Sequence, residues 1–293
     1  MEEQSASAAV AAPAILVIEN GLDAPVARLG DWLRAAGAEL VIVNGAAGHA
    51  IPESLSEYRG LVVMGGSPNA YDDATAPWLP QVRTLLAESV RRELPTLGVC
   101  LGGQLLAAAT GGRVERAETP EYGAHLIAKR QAAAEDPLFK DLPITPDVLQ
   151  WHVDEITSLP PGAVQLASSP AVDIQAFRIG RCAWGVQFHI ETTPEIVELW
   201  ADEDAAQLAD YDVATILQRA EAAHPDFAEV WQPVATSFVG VVADPDGVLP
   251  PRRLPMAGGQ PASQSTAGPI TDPAQIRAAL AAEMQAARGT NQH

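Results

Sequence analysis

Basic residues are scarce in this 293-residue sequence, which has 18 lysines and arginines against 37 aspartates and glutamates. The formal net charge of −19 makes the surface repel phosphate backbones and anionic lipid headgroups. We therefore expect neither nucleic acid nor a membrane among the partners of this protein.

Cysteine and long apolar runs are also scarce. The two cysteines, Cys100 and Cys182, are too few for the disulfide framework of a small secreted protein. No apolar run approaches the roughly 20 residues that a membrane-spanning helix needs. The first residues include Glu2 and Glu3 and lack the basic and apolar regions of a secretory signal. These absences predict a cytoplasmic protein.

The first hundred residues alternate between short apolar runs and amphipathic stretches. The runs have the unbroken apolar character of strands that are buried on both faces of a parallel sheet, and the stretches have the period of helices. Such alternation predicts a doubly wound, mostly parallel α/β sheet with flanking helices. The predicted strands cover residues 15–18, 40–43, 60–64 and 97–99, and the predicted helices cover 24–36 and 76–93.

The later part of the chain has a different texture. Short β-like pieces between Pro- and Gly-bearing turns predict further, partly antiparallel strands of the same domain, and helical patterns follow them. The β-like pieces cover residues 123–129, 147–151, 163–168, 174–179 and 183–188, and the helical patterns cover 194–208, 213–222 and 226–239.

After residue 243 the composition turns to Pro, Gly, Ser and Gln, which cannot bury enough apolar surface to form a core. We predict a folded domain over 14–243 and a loose, low-complexity tail over 244–293. Within the tail, an amphipathic stretch with proline at its first helical position predicts a short helix at 273–288.

The sharpest chemical feature is Gly98-Val99-Cys100-Leu101-Gly102-Gly103-Gln104, where a predicted buried strand gives way to an apolar helix. A nucleophile at such a turn is held on a strained elbow with its side chain exposed at the sheet edge, and the glycines allow the turn to be tight. Unpaired N–H groups at the helix N-terminus favour a thiolate. We interpret Cys100 as a nucleophile rather than as a small core residue.

A thiolate nucleophile requires a base and a group that orients the base. His189 and Glu191 stand two positions apart just after an apolar strand, in Trp184-Gly185-Val186-Gln187-Phe188-His189-Ile190-Glu191. If the strand geometry continues, both side chains leave on the same side. We therefore predict that His189 and Glu191 serve Cys100. The remaining histidines His49, His125 and His224 are interpreted as ordinary loop or surface residues.

Together these two motifs resemble those of the class I glutamine amidotransferases. The overall layout is similar to the stand-alone members of that family, which resemble the glutaminase domain of GMP synthase. The similarity covers roughly residues 14–200 and includes Met64-Gly65-Gly66-Ser67 and Trp151-His152-Val153-Asp154. It implies a flavodoxin-like fold and hydrolysis of glutamine through a γ-glutamyl thioester.

Carried over by position, the resemblance makes Cys100 the nucleophile, His189 the general base and acid, and Glu191 its orienting partner. It implies an oxyanion hole formed by the backbone N–H groups of Leu101 and of the Gly65-Gly66 loop. Further substrate-binding residues would be Gln104, Trp151, His152, Val153 and Asp154. For His152, the roles of second base, metal ligand and pocket wall stay open, although one histidine beside one aspartate falls short of a metal site. We predict no metal and no cofactor.

Three positions depart from the family pattern. Ile190 and Ser67 stand where the family usually has proline, and Val153 stands where related enzymes often have glycine. None of these departures removes a catalytic group, so they affect the expected efficiency and substrate choice rather than the mechanism.

Three functions remain open at this point. The chain is a glutaminase that supplies ammonia to a separate synthetase or transferase, or it hydrolyses γ-glutamyl peptides or amides directly, or it is a non-catalytic regulatory module. The first is favoured, with a small molecule, glutamine or a γ-glutamyl compound, as its substrate.

Overall fold

The computed structural model describes residues 12–249, which form an eight-stranded sheet, a separate two-stranded sheet and flanking helices. The large sheet has the order β2-β1-β3-β4-β10-β9-β8-β6. Its first half, through β10, is parallel, and the strands beyond β10 are antiparallel. In chain order its strands are β1 (Ala14–Glu19), β2 (Glu39–Asn44), β3 (Gly60–Val63), β4 (Thr96–Val99), β6 (Ala128–Lys129), β8 (Val164–Ser168), β9 (Ala176–Ile179) and β10 (Ala183–Val186).

The helices cover both faces of this sheet. They are α1 (Ala27–Ala35), α2 (Leu79–Arg92), α3 (Leu101–Ala109), α4 (Pro194–Glu203), α5 (Val213–Ala243) and the single turn α6 (Pro245–Val248), with a 3₁₀ turn at Gln131–Glu135. Because successive side chains of a strand point to opposite faces, β1 contributes to two cores. Ile15 and Val17 pack in the core that includes α1 and α5, and Leu16 and Ile18 pack in the core that includes α2 and α3. The expected doubly wound α/β fold is therefore confirmed.

The second sheet stands apart from the large one. It pairs β5 (Arg113–Leu126) with β7 (Asp147–Ser158) in antiparallel fashion, with an irregularity between Arg116 and Glu121. The sequence predicted β-structure for 123–129 and 147–151, the end of β5 and the beginning of β7, but placed it among the strands of a single sheet. An isolated bridge between Leu149 and His189 holds β7 against the segment after β10.

Helix α5 is continuous over Val213–Ala243, so the prediction of two helices, over 213–222 and 226–239, was wrong. Pro225 and Pro233 lie inside the helix and leave the carbonyl groups of Glu221 and Glu229 without a helical N–H donor. Both glutamates are exposed, so water can satisfy those carbonyl groups. A buried stripe at a spacing of three to four residues anchors the helix on both sides of each proline; it consists of Ala220, His224, Phe227, Trp231, Val234, Ala235 and Phe238.

The structure corrects two further expectations, and a third lies partly outside the described residues. The strand at 40–43 is half-buried rather than buried, because β2 lies at the edge of the sheet. His224 is buried in α5, where its Nε2 lies 3.1 Å from Oγ1 of Thr192, so it is not a surface residue. The predicted tail begins within the described residues as α6, whereas the expected helix at 273–288 lies outside them. No helix within 12–249 is long and apolar enough to cross a membrane.

Candidate active site

Three neighbouring parallel strands end at the candidate site. The strands β3, β4 and β10 lie side by side and run in the same direction. Gly65 and Gly66 follow β3, Cys100 follows β4, and His189 follows β10. Because the carboxyl ends of parallel strands meet at one edge of a sheet, residues far apart in the sequence come together there.

Cys100 occupies a strained turn between β4 and α3. Its backbone has φ = 50° and ψ = −110°, a left-handed value of φ that costs a non-glycine residue about 1–3 kcal/mol. A Cβ on Gly98 would lie 2.4 Å from the carbonyl oxygen of Gly102, and one on Gly102 would lie 2.0 Å from that of Val63. The close backbone contacts that support the elbow therefore require glycine on both sides of the cysteine.

The imidazole of His189 lies between Cys100 and Glu191. Its Nδ1 is 2.7 Å from Oε1 of Glu191, and both side chains are buried. The other carboxylate oxygen of Glu191 accepts a hydrogen bond from the backbone N–H of Ile190 at 2.9 Å. A tilted ring contact with Trp200, with the ring centroids 4.7 Å apart, further restricts the imidazole. The ring is thus held in one orientation.

The surroundings of His189 favour its charged form. Burial alone would lower the pKa of His189, but the negative charges of Glu191 and Cys100 and the hydrogen bonds to both outweigh burial and raise this pKa from 6.5 to about 10. A buried imidazolium that contacts a thiolate and a carboxylate is stabilised by both. The arrangement can therefore hold a thiolate–imidazolium pair and deliver a proton from His189.

The Gly65-Gly66 loop packs closely against Cys100, His189 and Asn20. Gly65 is so close to the triad that a Cβ there would lie 3.1 Å from Cε1 of His189 and 3.6 Å from Cβ of Cys100. At Gly66 a Cβ would lie 2.8 Å from the backbone of Asn20. Among the described residues, none accepts a backbone hydrogen bond from the N–H of Gly65, Gly66 or Leu101. These three donors remain available to a ligand.

One cavity of about 330 Å³ opens onto Cys100 and His189. It brings together most of the residues that the sequence singled out, whereas Gly65 and Glu191 are not among the residues that line it. The wall contains the predicted residues Gly66, Cys100, Leu101, Gln104, Trp151, His152, Val153, Asp154 and His189.

The segment 151–154 forms one wall of this cavity, and hydrogen bonds of its side chains hold it in place. The indole N–H of Trp151 donates to Asp204 at 2.8 Å. The two ring nitrogens of His152 lie 3.0 Å from the carbonyl oxygen of Asp154 and 3.2 Å from the carboxylate of Glu121. Because both nitrogens are engaged, the geometry of His152 favours the role of pocket wall over those of base or metal ligand.

Gln104 faces the cavity, but its amide is engaged by the protein. Its Nε2 donates to the carbonyl oxygen of Asp154 at 3.0 Å and to Oε1 of Gln187 at 3.2 Å. Gln187 in turn places its Nε2 3.8 Å from Sγ of Cys100. Gln187 belongs to the motif that contains His189 and Glu191, but no role was predicted for it. Its position two residues before His189 was the signal that could have indicated one.

Other cavity residues were not predicted from the sequence. They come from the loops after β1 and β3, from β5 and from α4 with the turn that follows it. For the two loops, their position after a parallel strand was the available signal. They are Asp23, Ala24, Pro68, Tyr122, Trp200, Glu203, Asp204 and Gln207.

The three departures from the family pattern fit this geometry. Ile190 supplies the N–H that donates to Glu191, a donor that proline would lack. Val153 and Ser67 both line the cavity, so they change its shape without touching the His189–Glu191 pair.

Comparisons with known proteins identify the family. The family described as "Glutamine amidotransferase class-I" matches residues 17–198. A GMP synthase [glutamine-hydrolyzing] of Porphyromonas gingivalis is 40% identical over 142 residues, which are 48% of this chain and 26% of that protein. One of Staphylococcus aureus is 34% identical over 134 residues, 45% of this chain and 24% of that protein. The chain thus matches about a quarter of the length of these curated relatives.

Solved structures give the same result for the fold. A glutamine amidotransferase from Thermotoga maritima has a TM-score of 0.70 at 26% identity and covers 78% of this chain and 98% of its own. One from Methylobacillus flagellatus also has a TM-score of 0.70 at 26% identity, covering 78% of this chain and 95% of its own. With a family match over residues 17–198, this chain belongs to the class I glutamine amidotransferases.

Proposed function

We propose that this protein hydrolyses the side-chain amide of glutamine through a γ-glutamyl thioester on Cys100. The observation that carries the proposal is the buried His189–Glu191 pair, with 2.7 Å between nitrogen and oxygen, whose histidine lines one cavity with a cysteine on a strained elbow. A nucleophile, a base and a group that orients the base are the parts that nucleophilic catalysis with a cysteine requires.

In the first half-reaction the thiolate of Cys100 attacks the side-chain carbonyl carbon of glutamine. The N–H groups of Leu101 and of the Gly65-Gly66 loop receive the developing oxyanion, and such donors typically contribute roughly 3 kcal/mol each to transition-state stabilisation. The imidazolium of His189 gives its proton to the departing nitrogen. Ammonia leaves, and the glutamyl group remains bonded to sulfur.

In the second half-reaction water takes the place of ammonia. Neutral His189 accepts a proton from the water, whose oxygen attacks the thioester carbon. The carbon–sulfur bond breaks, glutamate is released, and the thiolate–imidazolium pair is restored. Glu191 remains ionised throughout and stabilises the imidazolium each time it forms.

The test is glutamate release from glutamine by purified protein. Cys100→Ala is expected to abolish release while the protein stays folded by circular dichroism. Cys182→Ala is the matched control, because Cys182 is also buried but lies at the opposite end of β10. Retained hydrolysis in Cys100→Ala would overturn the assignment, and equal loss in both variants would assign the effect to folding.

A second candidate substrate is a γ-glutamyl amide or peptide. The catalytic cavity shares Asp23, Ser67, Pro68 and Glu203 with an adjoining cavity of about 470 Å³, which offers room for a leaving group larger than ammonia. Among the described residues lining the catalytic cavity, four are carboxylates, Asp23, Asp154, Glu203 and Asp204, and none is lysine or arginine. Such walls favour a neutral or cationic leaving group over an anionic one.

A substrate panel separates these candidates. Glutamine, γ-glutamyl dipeptides and γ-glutamyl amines are compared by kcat/KM for glutamate release. Preference for glutamine supports the first candidate, and preference for a γ-glutamyl amine supports the second. No turnover of any member, together with no reaction of Cys100 with a glutamine-like diazo-ketone, would identify a non-catalytic module.

The destination of the ammonia is a further part of the proposal. We infer that a synthetase or transferase consumes it, since the matching relatives are named as synthases. A synthetase that binds this protein is expected to raise its glutamine turnover, and a search for co-purifying activity in the native host would test this.

A further inference from the structure

The wall of the cavity next to the nucleophile is made of backbone. The carbonyl oxygen of Trp151 lies 4.0 Å from Sγ of Cys100. The carbonyl oxygen of Asp154 accepts a hydrogen bond from Gln104, whose other partner Gln187 reaches Sγ. The segment 151–154, here called the β7 wall, therefore sets the position of the groups around the thiolate.

Strand pairing of the β7 wall is interrupted at Val153. The ladder between β5 and β7 includes the pair Arg116–Asp154 and then the pair Glu121–His152, with an irregularity between them. Four residues of β5 lie between these pairs, opposite a single residue of β7. Because the ladder is interrupted beside the nucleophile, other contacts must fix this wall.

Glu121 provides those contacts from the first position after the interruption. One oxygen of its buried carboxylate accepts from Nε2 of His152 at 3.2 Å and from Nε2 of Gln175 at 2.8 Å, and the other accepts from Oγ of Ser169 at 3.1 Å. Burial acts to raise the pKa of Glu121, but the hydrogen bond and charge of His152 and the hydrogen bond of Ser169 outweigh burial and lower this pKa. Glu121 is thus a buried carboxylate with three donors.

Contacts on both sides of its ring connect His152 to Glu121 and to the β7 wall. Its Nδ1 lies 3.0 Å from the carbonyl oxygen of Asp154, and its Nε2 lies 3.2 Å from a carboxylate oxygen of Glu121. Both side chains are buried. His152 therefore links Glu121 directly to the β7 wall.

We propose that Glu121 is a positioning residue: its buried contact with His152 holds the β7 wall against Cys100 and Gln104 across the interruption in the ladder. Glu121 does not line the cavity and acts through His152. Without the carboxylate, Nε2 of His152 loses this partner, and the wall is held only by the flanking ladder pairs and by the hydrogen bonds of Trp151 to Asp204 and of Gln104 to Asp154. A displacement of about 1 Å near reacting groups can cost roughly a hundredfold in rate.

The experiment compares Glu121→Gln with Asp136→Asn. Asp136 is the matched control because it is also a buried carboxylate with an ion pair, to Arg178 at 2.8 Å, but it lies outside the cavity. At a temperature where both variants are folded, Glu121→Gln is expected to lower kcat by about tenfold to a hundredfold with KM changed less than threefold. Asp136→Asn is expected to lower the Tm and to retain kcat.

A spectroscopic measurement addresses the contact itself. The ¹⁵N NMR signals of the His152 ring are expected to move in Glu121→Gln and to stay in place in Asp136→Asn. The proposal is overturned by unchanged kcat in Glu121→Gln, by a loss confined to KM, by an equal kcat loss in Asp136→Asn, or by His152 ring signals that do not move in Glu121→Gln.

Two provisions keep the proposal falsifiable. If Glu121→Gln does not fold, Ser169→Ala removes one of the three hydrogen bonds to Glu121 and is expected to lower kcat severalfold; unchanged kcat would overturn the proposal.

The kinetic readout rests on the hydrolase function proposed above. If no substrate is turned over, that function fails separately, and the rate at which a diazo-ketone alkylates Cys100 replaces kcat.

Discussion

Replacing Glu191 by glutamine removes the carboxylate that lies 2.7 Å from Nδ1 of His189 while keeping the size of the side chain. In the wild type, the pKa of His189 is raised to about 10 because its ionised partners outweigh burial. The imidazolium therefore persists to high pH, and kcat/KM is expected to fall only as the pH rises through about 10. This alkaline limb reports the free enzyme.

The size of the expected change follows from the geometry. Two unit charges about 4 Å apart interact by about 4 kcal/mol at an effective dielectric constant of about 20, which corresponds to about three pKa units. In Glu191→Gln only Cys100 still offsets the effect of burial, so the pKa of His189 falls. We expect the alkaline limb to move down by roughly two to three pH units, and kcat to fall by about two to four orders of magnitude.

The assay is the pH dependence of kcat/KM for the best substrate of the panel, measured from pH 5 to 11. Glu203→Gln is the matched control, because it removes the same charge from the cavity without contacting His189. Its alkaline limb is expected to move far less. A limb that stays in place in Glu191→Gln, or that moves equally in both variants, would refute the assignment of Glu191 as the partner that charges His189.

Two further predictions concern stability. Gly102→Ala places a Cβ 2.0 Å from the carbonyl oxygen of Val63 and is expected to lower the free energy of unfolding by about 1–3 kcal/mol or more. Gly240→Ala, where nothing lies within 4 Å, is expected to raise it by about 0.5–1 kcal/mol; urea unfolding in which the two variants lose equal stability would contradict this. Burial lowers the pKa of His224, so the unfolded state binds more protons near its usual pKa and stability falls as the pH falls through that range. In His224→Gln the difference in unfolding free energy between pH 8 and pH 5 should shrink, and an unchanged difference would contradict this.

Much of the parallel sheet could be predicted because its strands are short and mostly buried on both faces. The runs that form β1, β3 and β4 are unbroken apolar segments without helical periodicity. β2 was predicted as a buried strand but is half-buried at the edge of the sheet. Its edge position depends on the order of the strands, which a local sequence pattern does not reveal. Helix α5 was predicted as two helices because local rules stop a helix at proline, whereas a buried stripe from Ala220 to Phe238 stabilises it through packing.

The candidate site divides in the same way. Cys100, His189 and Glu191 could be found because each stands at the end of an apolar strand within a motif. Glu121 could not, because its significance depends on pairing with His152 across an irregular ladder. Asp204 depends likewise on the fold, since it contacts Trp151 from 53 residues away.

The most direct measurement of the central claim is the site of reaction with a diazo-ketone analogue of glutamine, which loses dinitrogen as it alkylates a thiolate. Intact mass and peptide mapping are expected to show one adduct, on Cys100, whose formation glutamine slows. The same treatment should leave Cys182 unmodified and should label neither cysteine in Cys100→Ala. An adduct on Cys182, or hydrolysis of glutamine that continues after complete modification of Cys100, would contradict the claim that Cys100 is the nucleophile.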